Sequence, residues 1–234
     1  MADLENWPGR EHREPRHSAP GWSIRRPLAD WLREEGRSAN GKRVLDVGCG
    51  VKPYYPFFAA AAEYIGVDVQ ENPNADLAGA IEALPVGDES FDIVLCTQVL
   101  EHVDDPVKAV RELHRVTAPG GRVLASTHGV MLYHPNPQDL WRWTHTGLER
   151  LFRDCGWSDV TVTPGAGSAE ALAMLTANYV HLLAKRAGAA LLARPLVALL
   201  NAVGAALDRR VALLRDPVPG ALFANLHVVA VKAE

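Results

Sequence analysis

The run Val44-Leu45-Asp46-Val47-Gly48-Cys49-Gly50 constrains the fold of this chain more than any other segment. A short apolar strand delivers an acid and then a Gly-x-Gly turn. A second apolar strand, Tyr64-Ile65-Gly66-Val67, ends at another acid, Asp68. The two acids lie about 20 residues apart, the spacing of a nucleotide-type site carried on adjacent parallel strands. Gly48 and Gly50 allow positive φ and keep a Cβ out of a ligand's path. Asp68, at the carboxyl end of its strand, can accept hydrogen bonds from both hydroxyls of a ribose. Asp46 places negative charge beside the turn, which suits a cationic ligand and opposes a pyrophosphate. A dinucleotide fingerprint needs a third glycine after the turn, and Pro53 stands there. The combination favours an adenosine ligand without phosphates over a nicotinamide dinucleotide.

Downstream, apolar strands alternate with amphipathic stretches. Strands are expected at 43–47, 64–67, 75–77, 91–95, 123–126, 160–162 and 226–231, and helices over 56–62, 106–116 and 148–155. Leu28, Trp31 and Leu32 predict a further helix from residue 27 to a stop near Gly36. Continuous apolar strands with long connections are the sequence form of a parallel sheet covered on both faces. Residues 27–234 are expected to form one domain. Residues 1–26, rich in Glu, Arg, His and Pro, are expected to be a mobile arm, or a lid anchored by Trp7 and Trp22.

Residues 168–214 interrupt this alternation. They are rich in Ala and Leu, and between Ala187 and Leu207 the only charge is Arg194, followed by Pro195. Arg194, Pro195 and Asn201 argue against a membrane span. The expectation is two or three helices capping the sheet. The alternative is an amphipathic surface that meets a lipid-like acceptor or a membrane, with Arg186, Arg194, Arg209, Arg210 and Arg215 facing anionic head groups.

The formal net charge is −4, with 22% charged residues, so no basic field points to nucleic acid. The three cysteines, Cys49, Cys96 and Cys155, lack metal-ligand spacing and are expected to be reduced thiols. No metal site is expected. The polar N-terminus lacks the apolar segment of a signal peptide, and a cytoplasmic location, with peripheral membrane contact as an option, is expected.

The glycine-turn segment resembles the first motif of the class I S-adenosylmethionine-dependent methyltransferases, of the type 11-like group. Leu84-Pro85-Val86-Gly87-Asp88-Glu89-Ser90-Phe91-Asp92-Ile93-Val94-Leu95 is similar to that family's loop and fourth strand. Gln98-Val99-Leu100-Glu101-His102-Val103 resembles the segment after it, and Ala118-Pro119-Gly120-Gly121-Arg122-Val123-Leu124 the turn into the fifth strand. The resemblance covers roughly residues 42–162. It implies an α/β fold with a doubly wound, mostly parallel seven-stranded sheet. The helical insertion would precede an antiparallel last strand.

The same resemblance implies S-adenosylmethionine as cofactor. Asp46, Gly48 and Gly50 would line its methionine and ribose portion, Asp68 would hold the ribose, and Val69 would pack on adenine. The family often has an acid before the segment 81–84; Ala80 stands here, so Ile81 or Glu82 would take over that contact. Gln98 would approach the methionyl group. His102 and His128, after the fourth and fifth strands, are candidate general bases, each with a loop-structural role as the alternative. The segment 134–144, with His134, Asp139, Trp141 and Arg142, is similar to a Pro-x-Asp-x-Trp-Arg-x-Thr element in a methyltransferase subgroup associated with cell-envelope saccharides or specialised metabolites. Arg142 could clamp an anionic substrate there; alternatively Asp139 and Thr144 cap helices and the indoles fill core. The implied reaction is methylation, at oxygen, of a small-molecule or lipid-linked acceptor. A non-catalytic adaptor and a NAD-dependent oxidoreductase are the other two readings.

Overall fold

The computed structural model describes residue 4 and residues 6–69, 72–135 and 137–234. The chain runs α1 (Arg10–Arg13), α2 (Trp22–Gly36), β1 (Arg43–Val47), β2 (Glu63–Asp68), β3 (Leu77–Ala78), β4 (Phe91–Thr97), α3 (Pro106–Val116) and β5 (Thr117–His128). It continues through α4 (His145–Asp154), β6 (Asp159–Pro164), α5 (Ser168–Arg186), α6 (Ala190–Arg210) and β7 (Asn225–Val231). The strands form one seven-stranded sheet in the order β3-β2-β1-β4-β5-β7-β6. All pairs from β3 to β5 are parallel, and β7 runs antiparallel between β5 and β6. The expected doubly wound sheet, with its helical insertion before the last strand, is the observed one.

The period-two pattern of the strands sorts side chains onto the two faces. Leu45, Val94, Cys96, Val123 and Ala125 join α3 and α4 residues such as Leu113 and Phe152 in one buried cluster. Val44, Ile93, Leu95 and Leu124 point the other way, onto Leu28 and Leu32 of α2. α3 occupies the expected span because Asp105 caps it, accepting from Lys108 N at 3.0 Å, and Pro106 supplies a preset φ at its first position.

Two local expectations fail. The helix expected over 56–62 is absent; only a 3-10 turn, Tyr55–Phe57, forms. Pro53 and Pro56 remove two backbone donors from the segment, and Tyr54 and Phe58 bury their rings in the second cluster instead of spacing along a helix face. α2 starts at Trp22, with Pro27 inside it rather than at its head.

Residues 7–13, from the segment expected to be an arm, pack beside the glycine turn, while His17, Ala19 and Pro20 meet α5 and α6. Trp7 Nε1 donates to Lys52 O at 2.9 Å, and the buried Arg13 guanidinium donates to the carbonyls of Trp7, Pro8 and Pro53 at 2.7–2.8 Å.

Strand order reverses between β1 and β4. The crevice beyond their carboxyl ends is where ligands bind in open α/β sheets.

Candidate active site

Two adjoining cavities occupy this crevice. The larger, about 360 Å³, is lined by residues that include Asp68, Val69, Ile81, Glu82 and His102. The smaller, about 180 Å³, is walled by Asp46, Gly50, Tyr54 and, from the N-terminal segment, His12. Gly48 and Gln98 line both and mark where they meet. Each of the eight residues expected to touch the cofactor lines one or both of these two adjoining cavities.

The turn is built for that approach. Gly48 and Gly50 both have positive φ, and a Cβ on Gly48 would collide with the side chain of Val99. Asp68 Oδ2 accepts from Gly50 N at 2.8 Å and from Asn72 Nδ2 at 2.7 Å, while Oδ1 accepts from Val69 N at 2.8 Å. These bonds fix the carboxylate at the cleft and leave Oδ1 with acceptor capacity for a ribose. Gln98 also has positive φ, and its amide is fixed by Ser126 Oγ at 2.9 Å and Asn225 Nδ2 at 3.2 Å.

Asp46 is 3% exposed and accepts from Tyr64 Oη at 2.6 Å. Burial pushes its carboxyl up to about 7, against the lowering effect of the Tyr64 hydroxyl and of nearby Lys52. A cation entering the smaller cavity would favour its ionised form. Burial likewise pushes the Cys49 thiol up to about 12, so it stays protonated and is no nucleophile at neutral pH.

A second polar group stands next to this cleft. Glu101, fully buried after β4, accepts from Thr127 Oγ1 at 2.8 Å. Its other oxygen lies 3.3 Å from His128 Nε2 and has no hydrogen-bond partner. Burial raises Glu101 to about 7 and lowers His128 to about 3. His128 is therefore held neutral, does not line the cleft cavities, and is poorly suited to take a proton near neutral pH. His102 does line the cleft; its ring packs edge-on at 5.3 Å from His134, which also contacts the His128 ring at 5.0 Å.

Residues 131–135 and 137–144 bring His134 beside this group. Arg142 forms a bidentate pair with Asp139 at 2.5 and 2.8 Å, and also donates to the carbonyls of Leu132 and Trp141. Asp139 accepts from His134 N at 3.1 Å. The guanidinium expected to clamp a substrate thus spends its donors holding the loop that carries His134. Hydrogen bonds from the Arg142 guanidinium hold the Asp139 carboxyl below the usual carboxylate range. Trp141 donates to Val103 O at 2.8 Å and stacks on Trp143, so it is a loop anchor with one exposed face. Thr144 caps α4, accepting from Gly147 N at 3.1 Å.

Sequence reasoning missed Glu101, His12 and Tyr64. Glu101 was visible beside His102, but its burial against Thr127 and His128 depends on β4 and β5 being neighbours. Nothing local marks His12 as a wall of the cleft or Tyr64 as the hydrogen-bond partner of Asp46.

A doubly wound sheet with an antiparallel strand between β5 and β6, and an acid-tipped β2 at the switch point, is the arrangement of the class I S-adenosylmethionine-dependent methyltransferase fold. The family model of the methyltransferase domain matches residues 45–125. It is 37% identical over 120 residues to a ubiquinone biosynthesis O-methyltransferase of Pseudomonas syringae pv. tomato, covering 42% of this chain and 49% of that one. It is 37% identical over 115 residues to a malonyl-acyl-carrier-protein O-methyltransferase of Erwinia pyrifoliae, covering 44% of each. The chain thus spans about half the length of these relatives. Among solved structures, the cyclase SpnF superposes with a TM-score of 0.57 at 20% identity, covering 94% of this chain and 85% of that one. A SAM-dependent methyltransferase from Archaeoglobus fulgidus gives 0.55 at 19%, covering 88% and 93%. At these identities the superpositions speak for the fold alone.

S-adenosylmethionine is the cofactor of this class, and the cleft fits it. The larger cavity has the apolar Val69 and Ile81 for an adenine and Asp68 for a ribose, and the smaller has Asp46 for an ammonium group.

Proposed function

We propose that the protein transfers a methyl group from S-adenosylmethionine to a hydroxyl of a small or lipid-linked acceptor. The observation that carries this reading is the pair of adjoining cavities that share Gly48 and Gln98, with His102 in the wall of the larger. Bound there, the cofactor supplies an electrophilic methyl group on a sulfonium. The chain's own residues do the rest: Asp68 and Asp46 fix the two polar ends of the ligand, and the loop tied by Arg142 and Asp139 shields the crevice. The group of Glu101, His102 and His134 receives the acceptor hydroxyl. Oxygen is favoured as the methylated atom because both curated relatives described above are O-methyltransferases by name.

Lipid linkage and contact with a membrane surface are supported by the insertion. Leu191, Leu192 and Leu199 of α6 and Leu213 after it are exposed, with Arg194, Arg209, Arg210 and Arg215 along the same stretch. Among the described helices, α6 alone is long and apolar enough to cross a membrane by length and composition. Its buried Asn201 and Asp208 instead bond to the domain, so the reading here is of a helix lying against a surface.

Calorimetric titration with S-adenosylhomocysteine tests the core of this reading. Wild-type protein should bind one equivalent, and Asp68→Ala should weaken binding by about 10- to 100-fold, the worth of charge-assisted hydrogen bonds. No binding by the wild type, with binding of NAD instead, would replace the methyltransferase reading with a dehydrogenase.

A further inference from the structure

We propose that Glu101, His102 and His134 hold a single divalent transition-metal ion at the acceptor side of the cleft. One ligand-capable atom from each residue lies within 4.8 Å of the other two. Three further observations point the same way. His102 Nδ1–H donates to the carbonyl of Gln138, and His134 Nδ1–H donates to the carbonyl of Leu132 at 3.0 Å. With Nδ1 carrying the proton in both rings, each Nε2 presents a lone pair. Backbone carbonyls orienting the far nitrogen are the usual outer support of metal-binding histidines. The third observation is Glu101: fully buried, with one carboxyl oxygen satisfied by Thr127 and the other without a hydrogen bond. A buried carboxylate oxygen without a partner is costly, and a cation removes that cost.

The surroundings are consistent with the assignment. His128 Nε2 lies 3.3 Å from the same Glu101 oxygen without forming a hydrogen bond to it. The Arg142 guanidinium, whose charge reaches Glu101, is paired bidentately with Asp139. Two imidazoles and one carboxylate form a donor set suited to zinc, iron, cobalt or nickel rather than to magnesium or calcium. Metal–ligand bonds of about 2.1 Å require the three atoms to close by about an ångström. His102 and His134 sit in loops after β4 and β5, outside the regular ladder of helix or strand. Three protein ligands leave an open position for an oxygen of the acceptor. That use of the metal rests on the methyltransferase reading; the binding of the metal does not.

The test is titration of the chelator-treated full chain with Zn²⁺ by calorimetry and with Co²⁺ by visible absorption, alongside S-adenosylhomocysteine binding. We expect one Zn²⁺ per chain and ligand-field bands with Co²⁺. His102→Ala, His134→Ala and Glu101→Gln should each weaken metal binding by about 100-fold or more, since loss of an outer support alone costs about 10–100-fold. His181→Ala, on α5, should leave it unchanged. Retained S-adenosylhomocysteine binding by His134→Ala shows that the variant is folded. Absence of stoichiometric Zn²⁺ and Co²⁺ binding overturns the proposal, as does binding undiminished in both histidine variants. Metal binding without S-adenosylhomocysteine binding would instead defeat the methyltransferase reading and leave the metal site standing.

Discussion

The sheet and the α5–α6 hairpin are built from the same apolar residue types and treat them in opposite ways. In the sheet, Val94, Leu95, Val123, Leu124 and Val228 are completely buried. In the hairpin the buried stripe of α6 is Ala193, Val197, Asn201, Gly204, Ala205 and Asp208, while Leu192 is 82% and Leu199 58% exposed. Small residues form the seam because the helices approach closely: a Cβ on Gly204 would press on Ala173 and on the backbone of α5. Polar groups lock that seam. Asp208 accepts from Ala169 N and Glu170 N, both at 3.1 Å, at the start of α5. Asn201 donates to the carbonyls of His17 and Ala19 at 2.7 and 3.0 Å. Apolar content therefore marks a core in one region and an outward face in the other.

Leucine truncation gives the sharpest contrast. Leu124→Ala should cost about 3–4 kcal/mol by urea denaturation, the range for deleting a buried leucine. Leu192→Ala should stay within about 0.5 kcal/mol, as an exposed position does. Equal costs would break the comparison and mean that the outer leucines are covered in solution. Next in size, Asp208→Ala should destabilise the protein by about 1–2 kcal/mol through loss of the cap on α5. Amide exchange should then quicken in α5 and α6 while β4 and β5 stay protected; uniform loss of protection would make hairpin and sheet one cooperative unit.

Two acids sharpen the contrast further. Burial pushes both Asp46, near the carboxyl end of the inner strand β1, and Glu170, at the foot of the hairpin, up to about 7. Asp46 lines a ligand cavity, so its titration should appear in binding. Below about pH 7 a bound ammonium group must displace its proton. S-adenosylhomocysteine affinity should therefore rise from pH 5 to about 7 and then level; a flat profile would detach Asp46 from the ligand. Glu170 sits beside Asp208, whose charge adds to the upward shift. Its raised folded pKa means that stability is fully present below the unfolded value near 4.5 and declines as pH rises towards 7. Glu170→Gln should flatten that decline in thermal melts and leave the pH profile of binding untouched. The smallest expected effect is on surface association: replacing Leu191 and Leu192 by serine should reduce sedimentation with anionic vesicles without altering the urea midpoint. Unchanged sedimentation would remove these leucines from any membrane contact.

Much of the cofactor cleft was legible in the sequence because its parts are local. A strand, a Gly-x-Gly turn and an acid each announce themselves within a few residues, and Asp46, Gly48, Gly50 and Asp68 all line the cleft. Where local signals conflicted with packing, packing prevailed: residues 56–62 form no helix because Tyr54 and Phe58 find better burial against α2. The acceptor side was far less legible. Arg142 and Trp141 looked like ligand groups, since a guanidinium between two indoles gives no hint of which backbone carbonyls it will meet. The structure turns them inward to hold the loop.

The sequence by itself determined the alternation of elements, the parallel sheet and the residues at the tips of β1 and β2, because strand period and glycine turns act over short range. Only the tertiary structure decided which leucines became core, which face of the hairpin turned outward, and that Glu101, His102 and His134 meet. Burial and the convergence of residues 32 positions apart depend on which strands and loops become neighbours, and no short stretch of chain encodes that choice.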